Sequence, residues 1–74
     1  MTKLPVVSGK QVIKALKHAG FCVHHQKGSH VTLRMEEYPQ IRVVVPIHRV
    51  VKKGTLKNII KDAGLTVEEF VEML

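Results

Sequence analysis

Cysteine and aromatic residues are scarce in this sequence of 74 residues, which contains one cysteine, two phenylalanines, one tyrosine and no tryptophan. Cys22 has no partner for an intramolecular disulfide, and no cysteine pair has the spacing of a structural zinc site. A reducing, cytoplasmic location is therefore expected. The low aromatic content also disfavours a platform on which bases stack, as in many proteins that bind single-stranded nucleic acids.

Acidic residues are missing from the first 35 residues of the chain. Residues 1–35 contain six basic residues and no acid, residues 36–61 contain six basic and two acidic residues, and residues 62–74 contain four acids and no base. The net charge of +6 predicts an anionic partner.

Long apolar runs are also absent. After Met1–Pro5 only two apolar residues precede Ser8, so neither a signal peptide nor a membrane span is expected. The length suits one domain over residues 1–74. A chain of this size buries only about 60% of the surface that its unfolded form exposes, which limits it to one layer of helices on a sheet without a deep substrate cavity.

The first helix is predicted over residues 9 to 19. Ser8 and Gln11 have the spacing of a capping box, apolar residues recur on one helical face, and Gly20 provides a left-handed stop. The other face carries lysines at intervals of four and three, which we call the first lysine stripe: Lys10, Lys14 and Lys17. Such a stripe is ordinarily a solvated face, but the absence of acids to pair with it favours an anionic partner.

Two segments of alternating polarity flank Gln26-Lys27-Gly28-Ser29-His30, which predicts a β-hairpin. We expect a three-residue turn at Lys27–Ser29, in which Gly28 takes a positive φ and Gln26 faces His30. This register predicts three opposed pairs on the core face: Phe21 with Met35, Val23 with Leu33 and His25 with Val31. The solvent face then holds Cys22, His24 and Gln26 opposite Arg34, Thr32 and His30. His30 is therefore free for chemistry, whereas His25 is expected at the core edge, bonded to the backbone.

A third strand is predicted at residues 40–45, after a turn at residues 36–39. A five-residue turn places Arg42 directly opposite Arg34. Like charges facing each other across a sheet repel, and a bound anion such as phosphate would relieve this repulsion.

Two further helices are predicted near the C-terminus. Apolar residues at helical spacing follow Lys52–Thr55 until Gly64, and this helix carries a second lysine stripe: Lys53, Lys57 and Lys61. Thr66 and Glu69 form another capping-box pattern, which predicts a short helix over residues 67–74. The result is an α+β fold of order α-β-β-β-α-α, with a three-stranded antiparallel sheet packed on helices. Its first five elements have the architecture of the double-stranded-RNA-binding domain.

Several motifs in this order resemble the HicA family of bacterial toxins, also called YcfA-like. They are Ser8-Gly9, Ala19-Gly20-Phe21, Gln26-Lys27-Gly28-Ser29-His30, Val45-Pro46 with His48, and Lys53-Gly54-Thr55-Leu56 through Ala63-Gly64-Leu65. The resemblance implies a small mRNA interferase of double-stranded-RNA-binding-like fold, in which His30 is catalytic and Gly28 is the family's neighbouring glycine. It also implies neutralisation by a HicB-type antitoxin bound over the active surface.

Histidine suits RNA cleavage because its ordinary side-chain pKa of about 6.5 allows proton transfer near neutral pH. His30 would take the 2′-hydroxyl proton, which predicts 2′,3′-cyclic phosphate and 5′-hydroxyl ends without a metal or another cofactor. The residues expected to bind RNA are Lys10, Lys14, Lys17, Lys27, Gly28, Ser29, Arg34, Arg42, Lys53 and Lys57. DNA is not an expected partner.

Other interpretations of the same residues remain open. A metal site formed by Cys22, His24 and His30 is disfavoured, because zinc needs a closed set of three or four ligands. His48 is either a polar surface residue or a second proton-transfer group. The alternative function is a non-catalytic module that binds duplex RNA by shape.

Overall fold

Three helices and three strands form in the predicted order, in a computed structural model that describes residues 3–74. Met1 and Thr2, the first residues of the predicted domain, lie outside the described residues. The elements are α1 (Gly9–His18), β1 (Phe21–Lys27), β2 (His30–Met35), β3 (Arg42–Pro46), α2 (Lys53–Asp62) and α3 (Val67–Met73). The predicted α+β fold is confirmed, with α3 as the additional C-terminal helix.

Local sequence explains the beginnings of two helices. The Ser8 hydroxyl accepts a hydrogen bond from the Gln11 backbone at 3.2 Å, and the Gln11 side chain accepts one from the Ser8 backbone at 2.9 Å. Thr66 and Glu69 form the same reciprocal pair at α3. Both predicted capping boxes are confirmed, and each satisfies backbone N–H groups that the helix leaves unpaired.

The hairpin differs from the prediction in its turn and in part of its register. The loop contains only Gly28 and Ser29, so Lys27 rather than Gln26 faces His30. Gly28 has the predicted positive φ, at 59°, and no other residue of the loop does. Glycine with positive φ at the first of two loop positions is the type II′ pattern, whose twist matches that of the flanking strands.

A β-bulge at His24 compensates for the shorter turn. Phe21, Cys22 and Val23 pair with Met35, Arg34 and Leu33 as predicted, but after the bulge His25 pairs with Thr32 and Gln26 with Val31. The predicted place of His25 on the core face is therefore wrong. Its side chain is exposed and lies on the face that Thr32 and His30 share.

The third strand begins at Arg42, two residues later than predicted, because Ile41 donates a backbone hydrogen bond to Tyr38 and closes a turn. Arg42 pairs with Arg34, as the five-residue turn predicted. The strand order β1-β2-β3 makes β2 central.

The helices pack against one face of the sheet, which we call the inner face. Leu16 of α1, Leu33 of β2, Leu56 of α2 and Phe70 of α3 are fully buried in a single apolar cluster. Among residues 3–74, no polar or charged side chain is buried. Fully burying each such large apolar side chain contributes about 1.5–3 kcal/mol, so the inner face carries the stability of the fold.

Backbone contacts bring the beginnings of α1 and α2 to the same end as the hairpin loop. Ile47 donates to the Ser29 carbonyl at 2.6 Å, Gly9 to the His48 carbonyl at 2.9 Å, and Val51, just before α2, to the Val7 carbonyl at 2.8 Å. We call this end of the molecule, formed by residues 8–10, 27–30, 46–49 and 52–53, the hairpin end.

Candidate functional site

His30 is the first residue of the central strand, at the hairpin end. Its backbone lies between Lys27 of β1 and Pro46 of β3, while its side chain is exposed. The Gln26 amide donates to the Gly28 carbonyl at 3.0 Å and orders the loop before it. The histidine is thus held by strands on both sides, and its imidazole remains free to meet a ligand.

The second face of the sheet, which we call the outer face, carries basic and histidine side chains beside His30. Because of the bulge, His24 and His25 both lie there, with ring centroids 5.2 Å apart and planes at 73°. Arg34 and Arg42 follow farther along β2 and β3. The three strands contain no aspartate or glutamate, so no carboxylate on them offsets these charges.

The pKa of His24 reflects the positive charge of the nearby arginines. The nearby Arg34 guanidinium lowers the pKa of His24 below its usual value, with smaller contributions from partial desolvation, His25 and Arg42. Neutral His24 is therefore favoured in the free protein. An anion bound between the arginines would reverse this effect.

The hairpin end brings together several residues that were predicted to bind RNA. Lys27, Gly28 and Ser29 adjoin His30 directly, and Lys10 lines a shallow cleft there. The rest of that cleft is formed by Ser8, Ile47, His48 and Arg49. Lys53 begins α2, whose N-cap, Lys52, makes no side-chain cap hydrogen bond. Two helix N-termini and several cations thus lie at the hairpin end, which favours bound anions.

The last lysine of the first stripe lies away from this end. Lys17 lies beside Phe21, at the start of β1, and six residues of strand separate Phe21 from the loop, or about 20 Å at roughly 3.3 Å per residue. The first lysine stripe therefore leads from the hairpin end to the opposite end of the molecule. Arg34 and Arg42 are separated from it by the sheet, since α1 packs on the inner face.

Sequence reasoning missed His25 and Arg49. A Gly-Ser pair is a known two-residue hairpin loop and could have suggested the register that exposes His25. Nothing local placed Arg49 near Lys10, because that proximity depends on the bond between Gly9 and His48. The side chain of His48 is exposed in the same cleft.

Neither a metal cluster nor a membrane helix is found in the part of the chain that the structure describes. Within residues 3–74, no group of three or more histidine, cysteine, aspartate or glutamate side chains is arranged to hold a metal ion. The Cys22 thiol instead donates to the Arg34 carbonyl at 3.4 Å. No helix among these residues is long and apolar enough to cross a membrane.

Comparison with known protein families agrees with the motif resemblance. The family described as the HicA toxin of bacterial toxin–antitoxin systems matches residues 9–65, which include α1 from its first residue, the whole sheet and α2. No curated protein matches the sequence. Since the match covers most of the chain and includes His30 and all of the hairpin end except Ser8, the chain belongs to the HicA family and is the toxin of a toxin–antitoxin system.

Proposed function

We propose that this toxin is a metal-independent endoribonuclease that cleaves mRNA, with His30 as general acid/base. The observation that carries the proposal is the position of His30 in a HicA-family chain. It is an exposed histidine on a rigid central strand, surrounded by cations and without a carboxylate on the sheet. Cations near an imidazole attract the RNA backbone, so they favour binding of a phosphodiester group beside the imidazole.

In the proposed reaction, His30 removes the proton of a ribose 2′-hydroxyl. The 2′-oxygen then attacks the adjacent phosphorus in line, and the bond from phosphorus to the 5′-oxygen breaks, which leaves 2′,3′-cyclic phosphate and 5′-hydroxyl ends. Lys27, the strand partner of His30, offsets the charge that develops on the phosphoryl oxygens. A general base of this kind contributes about 10²–10⁴-fold to the rate.

RNA binding would begin at the hairpin end. Lys10, Lys27, Gly28, Ser29 and Lys53 would contact phosphates near the cleaved bond, the last through the uncapped start of α2. Arg34 and Arg42 would hold the strand on the outer face, and Lys14, Lys17 and Lys57 would contact more distant phosphates. These contacts recognise the backbone and supply affinity rather than sequence preference.

A HicB-type antitoxin would neutralise the toxin by covering the outer face around His30. A toxin with a net charge of +6 should associate quickly with an acidic partner, and added salt should slow association more than it speeds dissociation. RNA and antitoxin should then compete. If antitoxin titrated into a complex of RNA with His30→Ala leaves the RNA fully bound, inhibition from a distant surface replaces this masking proposal.

The test of the proposed reaction compares the wild type with His30→Ala and His18→Gln. His18 is also exposed, but its Nδ1 hydrogen-bonds to the Met73 carbonyl at 2.9 Å, at the other end of α1, so its variant should keep its activity. We expect His30→Ala to lose toxicity and cleavage, to keep its melting temperature and to retain RNA binding. Analysis of the ends of the cleaved RNA should find cyclic phosphate. Wild-type protein that binds duplex RNA without cleaving any RNA would instead support the non-catalytic module.

A further inference from the structure

The bulge at His24 makes His25 and His30 diagonal neighbours on the outer face. His30 pairs with Lys27, and His25 lies two residues before Lys27 on the same strand, with Thr32 as its own partner. Diagonal neighbours on adjacent strands are about 7–8 Å apart. That spacing leaves room for one phosphodiester group between the two imidazoles, and both side chains are exposed.

The proposed reaction needs two proton transfers at different oxygens. One proton leaves the attacking 2′-oxygen, and another must reach the departing 5′-oxygen, which lies on the opposite side of phosphorus in an in-line displacement. A single imidazole cannot lie beside both oxygens at the same time. A second donor across the phosphate from His30 would assist the departure of the leaving group.

Three other groups on β1 fit this role less well. Lys27 is directly opposite His30 and is suited to offsetting charge, because an ammonium group is a much weaker acid than an imidazolium. Cys22 lies opposite Arg34, away from the loop, and its thiol hydrogen-bonds to the Arg34 carbonyl. Arg34 and Arg42 lie near His24, and their guanidinium groups lower its pKa and so favour its neutral form. A general acid must instead begin as the protonated imidazolium.

We propose that His25 is the general acid that protonates the 5′-oxygen while His30 takes the 2′-hydroxyl proton. This inference rests on the proposed ribonuclease function. The bond from the 2′-oxygen to phosphorus forms as the bond to the 5′-oxygen breaks. The 2′ proton passes to His30 and the proton of the His25 imidazolium passes to the leaving oxygen. Water then exchanges protons with both rings and restores their starting forms, so no metal, reductant or other reactant is consumed.

The test uses a leaving group that does not need a proton. After one cleaved linkage has been mapped in a short RNA, the same RNA is made with sulfur in place of the departing 5′-oxygen at that linkage. A thiolate leaves without protonation because thiols are far more acidic than alcohols. Cleavage of both RNAs is then measured for the wild type and for the alanine variants of His25, His30 and His24. His25→Gln provides a second variant in case alanine perturbs the edge strand, and melting temperatures check folding.

We expect His25→Ala to cleave the ordinary RNA about 10²-fold or more slowly than the wild type and to cleave the sulfur-containing RNA at nearly the wild-type rate. His30→Ala should remain impaired on both RNAs, since the 2′-hydroxyl still has to lose its proton. His24→Ala should change both rates by one common factor.

Three results would overturn the assignment of His25: equal losses on both RNAs, no loss on either, or the same selective rescue in His24→Ala. If the wild type cleaves no RNA, so that no cleaved linkage can be mapped, the proposed function fails together with this inference. If the wild type cleaves and His25→Ala shows no selective loss, only the role of His25 is wrong.

Discussion

The two faces of the sheet are built from the same strands but carry different residues. On the inner face, Val31, Leu33, Val43 and Val45 are between 0% and 3% exposed and join the core. On the outer face, Val44 is 51% exposed, and Arg34 and Arg42 lie directly opposite each other. Folding explains these buried residues, whereas two facing arginines oppose it. The chemistry of the outer face is therefore better explained by binding than by folding.

Gly9→Ala, on the inner side of the sheet, is expected to cause the largest loss of stability. A Cβ at Gly9 would overlap the carbonyl oxygen of Pro46 and lie 2.9 Å from the Ile47 Cα, so α1 would have to move away from the end of β3. We expect destabilisation at or above the upper end of the about 1–3 kcal/mol that overpacking costs, as measured by urea unfolding. Gly54→Ala is the matched control. Its Cβ meets nothing within 4 Å in α2, and alanine should stabilise the helix by about 0.5–1 kcal/mol. Equal effects of both changes would show that the close approach of Gly9 is unimportant.

A smaller loss of stability is expected for Gly28→Val in the hairpin loop. An added Cβ has space there, but the φ of 59° strains a β-branched residue by about 1–3 kcal/mol. Gly28→Ala should cost less, because alanine has the same Cβ but no β-branch. Thermal melting of both variants provides the measurement. A valine variant that melts like the wild type would contradict the described turn.

On the outer face, Arg34→Gln should separate stability from binding. Removing one of two facing charges should raise the free energy of unfolding by a few tenths of a kcal/mol, within the range of about 0.2–1 kcal/mol for cross-strand pairs, while RNA affinity falls. Arg42→Gln should behave in the same way, and the double variant should gain little more stability than either single variant. Loss of stability in both single variants would mean that these side chains support the fold.

The lowered pKa of His24 should make the stability of the protein depend on pH. Its pKa is lowered in the folded protein, so the unfolded chain binds a proton more readily as the pH falls through the usual histidine range near 6.5. Protonation therefore favours unfolding, and stability should fall from pH 7.5 to pH 5. His24→Gln should show a smaller decrease over this range in urea titrations. Bound RNA should raise the pKa of His24 in an NMR titration, and a pKa unchanged by RNA would place the phosphate away from the arginines.

The first lysine stripe should affect stability least. Replacing Lys10, Lys14 and Lys17 by glutamine changes three exposed side chains, so the melting temperature should stay almost constant. RNA affinity should fall, and its dependence on salt should weaken by about 0.7 in log–log slope for each lost contact to a single strand. A variant with Lys10 alone replaced tests whether the hairpin end accounts for most of this change. An unaltered salt slope would make the stripe an ordinary solvated face.

Interactions between residues close in sequence could be predicted, because both partners lie within a few positions of each other along the chain. Ser8 with Gln11 and Thr66 with Glu69 specify helix starts within four residues, and the alternation around Val31 and Leu33 specifies a strand face. The exposure of His30 follows from the same alternation. Its role in cleavage was inferred from family resemblance rather than from local physics, and it stays a prediction.

Only the tertiary structure decided the features that depend on distant partners. The bulge at His24 reconciles a two-residue turn with the pairing of Phe21 and Met35, and it moves His25 from the expected core edge to the outer face. The contact of Gly9 with Pro46 and His48 brings Lys10 to the hairpin end. A sequence pattern specifies which side of its own strand or helix a residue occupies. The pattern does not specify which residues of other elements lie beside it. Those neighbours depend on strand register and helix packing, because a one-residue change of register exchanges the faces of the sheet.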